Sequence, residues 1–251
     1  MLDLIGAIVG MMAITIDVVA IAAALQLSLA RRLVLGAIAG AWVGLATGLA
    51  AAGALAFSPD QPVPLIGVLF AVPLLVAALF WVGSARFREA LTPIPMPLLI
   101  GLNTLRVLGV LFLALAAAGR LSGPFPYSAG WGDIITGALA IPVARLAMRG
   151  SSRAGLAVAA WNAFGALDLI AAVTLGITSA QGSPLQLIHA GIGSDAMQHL
   201  PYSLVPTVLV PFYLITHATV AAQLARGGLR RGRRPGLLDA GHPGPTNEAY
   251  G

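Results

Sequence analysis

Apolar residues along this chain fall into seven long runs that are separated by short polar connections. Each run has about the 20 residues that an α-helix needs to cross the hydrocarbon core of a bilayer. The chain is therefore predicted to be an all-α integral membrane protein, with a bundle of about seven transmembrane helices over residues 1–225. The predicted spans are residues 4–27, 33–57, 63–82, 97–119, 130–148, 154–178 and 203–224.

The composition supports this prediction and removes several kinds of chemistry. Only 9% of the residues are charged and 58% are hydrophobic, whereas a soluble domain carries roughly a quarter charged residues. The chain has no cysteine, and all 14 of its Lys+Arg residues are arginine. Disulfides, thiolate metal sites, iron–sulfur ligation and a lysine Schiff base are therefore excluded. We predict no cofactor and no bound metal ion.

Arginine marks alternate connections between the predicted helices. Eleven arginines lie after the first, third, fifth and last spans, within residues 31–32, 86–88, 149–153 and 226–234. Short loops that are rich in Lys and Arg stay on the cytoplasmic side of a membrane. The N-terminus is therefore predicted to lie outside the cytoplasm and the C-terminus inside it. The predicted location is the plasma (inner) membrane of a bacterium.

The C-terminal segment 226–251 differs in composition from the rest of the chain. It is rich in Arg, Gly and Pro and has no periodic apolar pattern, so we predict a disordered basic cytoplasmic tail. Its arginines would be attracted to anionic lipid by roughly 1 kcal/mol per charge. No aromatic or folded segment accompanies them, so nucleic acid is not an expected partner. The expected partners are the bilayer, anionic lipid at the tail and a small-molecule ligand.

The longest predicted connection, residues 179–202, contains several polar side chains. Asp195 and His199 are four residues apart, a spacing at which both could bind one metal ion together with His189. Two or three ligands on a loop are weak support for a metal site. The favoured interpretation is a solvated surface with a short interfacial helix.

The second predicted helix carries a row of glycines at strict four-residue spacing. Such a row leaves a flat groove that lets another helix approach closely in lipid. The first predicted helix has a matching stripe of small residues that includes Gly6 and Gly10. The favoured interpretation is packing of the first helix on the second, and a self-association seam is the alternative, which leaves the oligomeric state open. The row consists of Gly36, Gly40, Gly44 and Gly48.

A small set of polar side chains lies inside the predicted spans and forms the candidate functional site. An ionisable group in hydrocarbon costs ~2.5–3.5 kcal/mol on insertion scales, so such groups face the bundle interior and find partners. At about 1.5 Å per residue, several of them lie at similar depths near the midplane. The candidates are Asp17, Asn103, Arg106, Asn162, Asp168 and His217.

Arg106 needs a negatively charged partner more than any other member of this set, because arginine keeps its charge in proteins. Asp17 or Asp168 is the predicted partner. Asp133 is predicted to lie near the outer surface, where water reaches it. An alternative without any function is that the polar residues only hold the helices together.

Three motifs resemble those of a group of uncharacterised bacterial polytopic membrane proteins of about seven helices. They are R-x-x-G-x-x-F at 106–112, A-G-W-G-D at 129–133 and W-N-x-x-G-x-x-D at 161–168. The resemblance covers roughly residues 97–224. It implies a multi-pass helical fold and brings no known activity, substrate or cofactor.

Three functions are compatible with this pattern. Midplane charges and proline-containing helices favour a small-solute or proton-coupled transporter, or a ligand-binding membrane protein. In that hypothesis Arg106 binds an anionic group and Asp17, Asp168 or His217 carries protons. The first alternative is an intramembrane enzyme that acts on a lipid or isoprenoid substrate. The second alternative is an accessory or sensory subunit of a membrane complex.

Overall fold

The computed structural model describes residues 1–57, 64–149 and 152–227, and within these ranges the chain is helical and has no β-strand. Seven helices are long and apolar enough to cross a membrane, which agrees with the predicted number. The basic tail lies almost wholly outside the described residues. The helices are α1 (Leu2–Ala24), α2 (Leu29–Ala51), α3 (Leu65–Gly83), α4 (Met96–Ala117), α5 (Phe125–Arg149), α6 (Ser152–Ser179) and α7 (Val205–Ala225).

The seven helices alternate in direction and so define two faces of the bundle. We call the face that bears residues 118–124 and 180–204 the loop face. The opposite face bears Arg31, Arg88 and Arg226 and is called the arginine face. A short helix, Ala85–Leu91, connects α3 to α4 on the arginine face, and the Ser84 hydroxyl caps it by accepting from the backbone N–H of Phe87.

One difference from the predicted spans bears on the site: α5 begins at Phe125 instead of residue 130. Its first turn contains Pro126, Tyr127 and Ser128, which are not part of an apolar run. Proline is accepted in a first helical turn because its missing N–H would have no partner there. The helix is therefore longer on the loop face than hydropathy indicates.

Two of the helices are irregular where they pass the bundle interior. The middle of α4 is a 3-10 segment, Asn103–Gly109, between two α-helical halves. The first turn of α7, Val205–Leu209, is a wider π-helical turn. Pro211 cannot donate to the carbonyl of Thr207, and the Trp42 indole N–H of α2 donates to that carbonyl at 3.0 Å instead.

Helices α4 to α7 form the interior of the bundle, and α2 and α3 lie at its edge. Only Ala46 and Ala50 of α2 and Leu69 of α3 are buried. On the arginine face, Leu99, Ile100, Val158, Trp161 and Val220 belong to one apolar core. This core closes the interior on that side.

The glycine row of α2 does not receive α1. A methyl group added at Gly36, Gly40, Gly44 or Gly48 would meet no described atom within 4 Å. The side of α2 that faces the bundle is instead the row of Trp42, Ala46 and Ala50, which are also four residues apart. Intramolecular packing through the glycine row was thus the wrong interpretation, because the glycines face away from the described chain.

The loop-face end of α1 is held by Tyr202, which precedes α7. The Tyr202 hydroxyl donates to the Leu2 carbonyl at 2.9 Å. Its ring lies against Gly6, where an added Cβ would be only 2.8 Å from a ring carbon. Arg120 lies over the same ring, 5.6 Å from its centroid, and forms an exposed 2.6 Å ion pair with Asp3. The absence of a side chain at Gly6 therefore lets α1 lie close to the Tyr202 ring.

Candidate functional site

Arg106 lies at the centre of the bundle, on the 3-10 segment of α4, with 1% of its side chain exposed. Its Nε is 2.7 Å from Oδ1 of Asp133 on α5. One terminal nitrogen is 2.5 Å from Oδ2 of Asp168 on α6. Two carboxylates from two different helices thus bind one guanidinium group.

The remaining terminal nitrogen of Arg106 is also occupied. It donates to the carbonyl of Gly165 at 3.1 Å and lies 3.1 Å from Nε2 of His217 on α7. Four of the five guanidinium N–H groups therefore have partners. An anionic ligand that contacts more than one N–H group of Arg106 would therefore have to displace one of these partners.

His217 is held in one orientation by Asn162. Its Nδ1 is 2.9 Å from Oδ1 of Asn162, and the Asn162 amide nitrogen donates to the His217 carbonyl at 3.2 Å. Because Nδ1 donates to this oxygen, Nε2 presents a lone pair to the donor nitrogen of Arg106. A second proton on His217 would place two donors against each other. The geometry therefore favours a neutral His217 whose role is to orient Arg106.

Glycines let the four helices approach closely enough for these contacts. A Cβ at Gly132 would collide with the Asp168 carboxyl group, and one at Gly165 would be 2.6 Å from Cε1 of His217. A Cβ at Gly109 would be 2.5 Å from Cβ of Asp133. All three glycines belong to the sequence motifs. Their spacing reflects the space that the charged side chains occupy.

Trp161 completes the motif on α6. Its indole N–H donates to the carbonyl of Thr136 at 3.0 Å, and its ring centroid is 5.2 Å from that of His217. It is 4% exposed. The indole thus joins α6 to α5 and covers His217 on the side of the apolar core.

The charges of this cluster do not balance. Arg106 supplies one positive charge and Asp133 and Asp168 supply two carboxylates, while the hydrogen bonds of His217 favour its neutral form. A net negative charge in the interior of a membrane protein is costly. A proton or a positively charged ligand would neutralise the cluster.

A cavity of about 740 Å³, including its mouth, extends from the loop face to this cluster. We call it the outer cavity. Its wall is mostly apolar and includes Phe70, Phe112 and Phe125, with Ser194 and Gln198 near the loop face. Asp133 is the one ionisable side chain among the described residues that line it. The outer cavity therefore joins an apolar space to a single carboxyl group.

A second cavity of about 660 Å³, including its mouth, lies between α1, α4 and α7. Its wall includes Gly10, Tyr202 and Tyr213, and it reaches both Arg106 and Asp133. The two cavities share Asp133, so this residue is reached from two sides of α4. Its side chain is 16% exposed, compared with 1% for Arg106.

The structure brings together four of the residues that the sequence singled out, namely Arg106, Asn162, Asp168 and His217. Asp133 joins them, although it was predicted to lie near the outer surface. Since α5 begins at Phe125, Asp133 is eight residues, or about 12 Å, inside the helix. The A-G-W-G-D motif was the signal that could have placed it in the site.

Asp17 and Asn103 do not contact Arg106. Asn103 donates to the carbonyl of Leu99 one turn earlier at 2.9 Å. Asp17 is 2% exposed, and within the described ranges neither of its carboxyl oxygens has a hydrogen-bond donor. The Tyr213 hydroxyl lies beside Asp17 and also belongs to the wall of the second cavity. Of the two partners predicted for Arg106, Asp168 therefore binds it and Asp17 does not.

On the loop face, His199 and Asp195 approach each other to 3.6 Å, and about half of each side chain is exposed. Within the described ranges, no third His, Asp, Glu or Cys joins them to complete a group of metal ligands. This geometry fits a solvated surface pair.

Comparison with protein families places most of the chain in one family. A family model described as a domain of unknown function (DUF8737) matches residues 63–225, a range that contains every partner of Arg106. Neither the curated proteins nor the solved structures gave a match. The match is to an uncharacterised family, as the resemblance implied. The chain belongs to the family of this domain of unknown function (DUF8737).

Proposed function

We propose that this protein is a proton-coupled transporter that binds a small solute in the outer cavity. The single observation that carries the proposal is the charge imbalance at the inner end of that cavity, where two aspartates share one arginine. One proton restores neutrality, and Asp133 is reached from the cavity. A solute that changes the charge at Asp133 would therefore change the proton content of the cluster.

The closed side of the bundle supports a transport cycle rather than an open channel. The apolar core that contains Leu99, Ile100 and Val220 fills the interior between the cluster and the arginine face. The 3-10 segment of α4 lines the second cavity, and the π turn of α7 lines both cavities. Irregular helical segments of this kind are common where helices change conformation or bind ligands.

The arginine distribution gives this arrangement a direction. With the arginine face in the cytoplasm, the outer cavity opens away from the cytoplasm. The proposed location is the bacterial inner membrane, with the tail 226–251 on anionic lipid at the cytoplasmic surface. The described conformation would then be the outward-open state of the transporter.

A flux measurement tests the proposal. The purified protein is reconstituted into liposomes that contain a pH-sensitive dye, and a panel of small solutes is added outside. We expect at least one solute to change the internal pH, and we expect Asp133→Asn and Asp168→Asn to abolish the change. Asp3→Asn, in an exposed ion pair on the loop face, is the matched control. Solute flux that is equal in all four proteins would reject the site.

The apolar wall of the outer cavity also favours one alternative function, an intramembrane enzyme that acts on a lipid or isoprenoid. Asp133 would then be the general acid, because it is the ionisable group that the cavity reaches. Incubation with labelled membrane lipids distinguishes the two functions. A new lipid product that Asp133→Asn does not form would favour the enzyme, and unchanged lipids would favour transport.

A further inference from the structure

The outer cavity and the charge of its inner end together restrict the chemistry of the ligand. We propose that the ligand is a lipophilic monovalent cation, with its apolar body in the outer cavity and its positive head on the free carboxyl oxygen of Asp133. This inference rests on the proposed function and names its substrate class. Binding of the cation would release the proton that otherwise neutralises the cluster.

The free oxygen of Asp133 is the first observation. Oδ1 of Asp133 accepts from Nε of Arg106, and within the described chain Oδ2 has no hydrogen bond. The side chain is partly exposed and lines both cavities. An acceptor that faces an apolar cavity needs a donor or a cation to satisfy it.

The occupied guanidinium group of Arg106 is the second observation, because it argues against an anionic ligand. Arg106 is not among the described residues that line the outer cavity, so an anion bound there would have to displace Asp133 to reach the guanidinium group, and this would leave a carboxylate buried without its partner. It would also add a third negative charge beside a single arginine. A neutral ligand would leave the imbalance as it is, whereas a monovalent cation removes it.

The groups around Asp133 supply no other compensating charge. They are Arg106 on α4, Asp168 on α6, and His217 and Tyr213 on α7. Asp17 on α1 lies beyond Tyr213. Of these groups only Arg106 is a fixed cation, and the hydrogen bonds to Asn162 and Arg106 leave His217 neutral.

The walls of the outer cavity fit the proposed ligand. Phe70, Phe112 and Phe125 contribute aromatic rings, and the rings of Phe112 and Phe125 are 5.8 Å apart. Aromatic faces attract organic cations in addition to burying apolar surface. A strongly hydrated inorganic cation would find too few oxygen ligands in this wall.

The exchange conserves charge. In the empty state, one proton is bound by the Asp133–Asp168 carboxyl pair, and the cluster is neutral with Arg106. When the cation forms its ion pair with Asp133, that proton passes to water in the cavity. The cluster remains neutral, so one monovalent cation exchanges for one proton and no covalent bond of the ligand changes.

Two probes of the same shape test the inference. Benzyltrimethylammonium and neopentylbenzene differ only in the replacement of the cationic nitrogen by carbon. Binding of each to the full chain in lipid nanodiscs is measured by titration calorimetry, with empty nanodiscs as the background. Titration in two buffers of different ionisation enthalpy gives the number of protons released. We expect the cation to bind at least about tenfold more tightly and to release one proton, and the neutral probe to release none.

Asp133→Asn and Asp3→Asn are the test and control variants. Asp133→Asn is expected to lose the preference for the cation and the proton release while it still binds neopentylbenzene, which shows that the cavity is intact. Asp3→Asn is expected to behave like the wild type.

Four results would overturn the inference. Equal binding of both probes, or an unchanged cation preference in Asp133→Asn, would reject the cationic class and leave the proposed cavity function standing. The anion 3-phenylpropionate is titrated as a third probe, and tighter binding of this anion than of benzyltrimethylammonium would reject the cationic class in the same way. The absence of binding by any probe would reject both the ligand class and the outer cavity as a solute site.

Discussion

Nε of Arg106 lies 2.7 Å from Oδ1 of Asp133, and this contact joins α4 to α5 across the bundle interior. The 3-10 segment of α4 presents the guanidinium group at this depth, between α5 and α6. The same carboxyl group is the inner end of two cavities. The pair of Arg106 and Asp133 therefore both joins two helices and lies where a ligand can reach it. Mutations can separate these two roles.

Arg106→Gln is expected to destabilise the bundle strongly. It leaves Asp133 and Asp168 buried without a cation, a change that typically costs about 3–5 kcal/mol. Arg120→Gln is the matched control, because Arg120 forms an exposed ion pair with Asp3 that contributes at most about 1 kcal/mol. Unfolding of both variants in the same detergent gives the comparison. Similar stability of the two variants would contradict the central position of Arg106.

Gly132→Ala is expected to disturb the site only through the volume of the added methyl group. The added methyl group collides with the Asp168 carboxyl, and overpacking of this kind costs about 1–3 kcal/mol. Gly44→Ala is the matched control, since nothing described lies near its Cβ position and alanine is the better helix former. We expect a lower unfolding temperature for Gly132→Ala and an unchanged or higher one for Gly44→Ala. The reverse order would show that the α5–α6 contact is not as close as described.

Trp42→Phe is expected to weaken the junction of α2 with α7. It removes the donor to the Thr207 carbonyl, which Pro211 leaves without its usual partner, at a cost of about 1–3 kcal/mol for a buried polar group. Trp131→Phe is the control, because Trp131 is largely exposed. Hydrogen exchange of the first turn of α7 should increase in Trp42→Phe only. Equal exchange in both variants would remove the proposed role of Trp42.

Tyr202→Phe is expected to loosen the loop-face end of α1. The variant loses the hydrogen bond to the Leu2 carbonyl, which contributes about 1 kcal/mol, while the contact of the ring with Gly6 remains. Tyr127→Phe, at an exposed position, is the control. Faster hydrogen exchange near Leu2 in Tyr202→Phe alone is the expected result, and unchanged exchange would contradict it.

Tyr202 also makes the stability of the folded protein depend on pH. Burial raises the pKa of the Tyr202 hydroxyl, and the Asp3 carboxylate adds to the shift. The unfolded chain therefore loses this proton at a lower pH than the folded chain does. The stabilisation is complete below the ordinary tyrosine pKa and is lost as the pH rises through the raised value. Tyr202→Phe should lack this alkaline loss, and an identical alkaline profile in wild type and variant would contradict the assignment.

The number of helices could be predicted from the sequence because apolar length alone decides whether a helix spans a bilayer. The need of Arg106 for a carboxylate could also be predicted from its permanent charge. The second partner, Asp133, could not be predicted from the sequence, since α5 begins in a turn with Pro126 and Tyr127. An error of five residues in that start moved the expected position of Asp133 by about 7.5 Å.

The prediction that the glycine row of α2 packs on α1 was wrong for a different reason. Spacing shows that the glycines share one face of α2, but it does not show which face meets the bundle. The row of Trp42, Ala46 and Ala50 has the same spacing and is the one that packs inward. Which of these two faces of α2 packs inward depends on the shape of the neighbouring helices, and the sequence of α2 does not contain that shape. The two cavities likewise depend on tertiary packing.

The proton shared by Asp133 and Asp168 is the central claim, and infrared difference spectroscopy of the carboxylic acid C=O band tests it most directly. The measurement uses Asp17→Asn protein, so that the other buried carboxyl group does not contribute a band. We predict one protonated carboxyl band that disappears on further mutation of either Asp133 or Asp168 to Asn, because Arg106 then balances the remaining carboxylate. A band that persists in both double variants, or that is absent from Asp17→Asn itself, would contradict the claim.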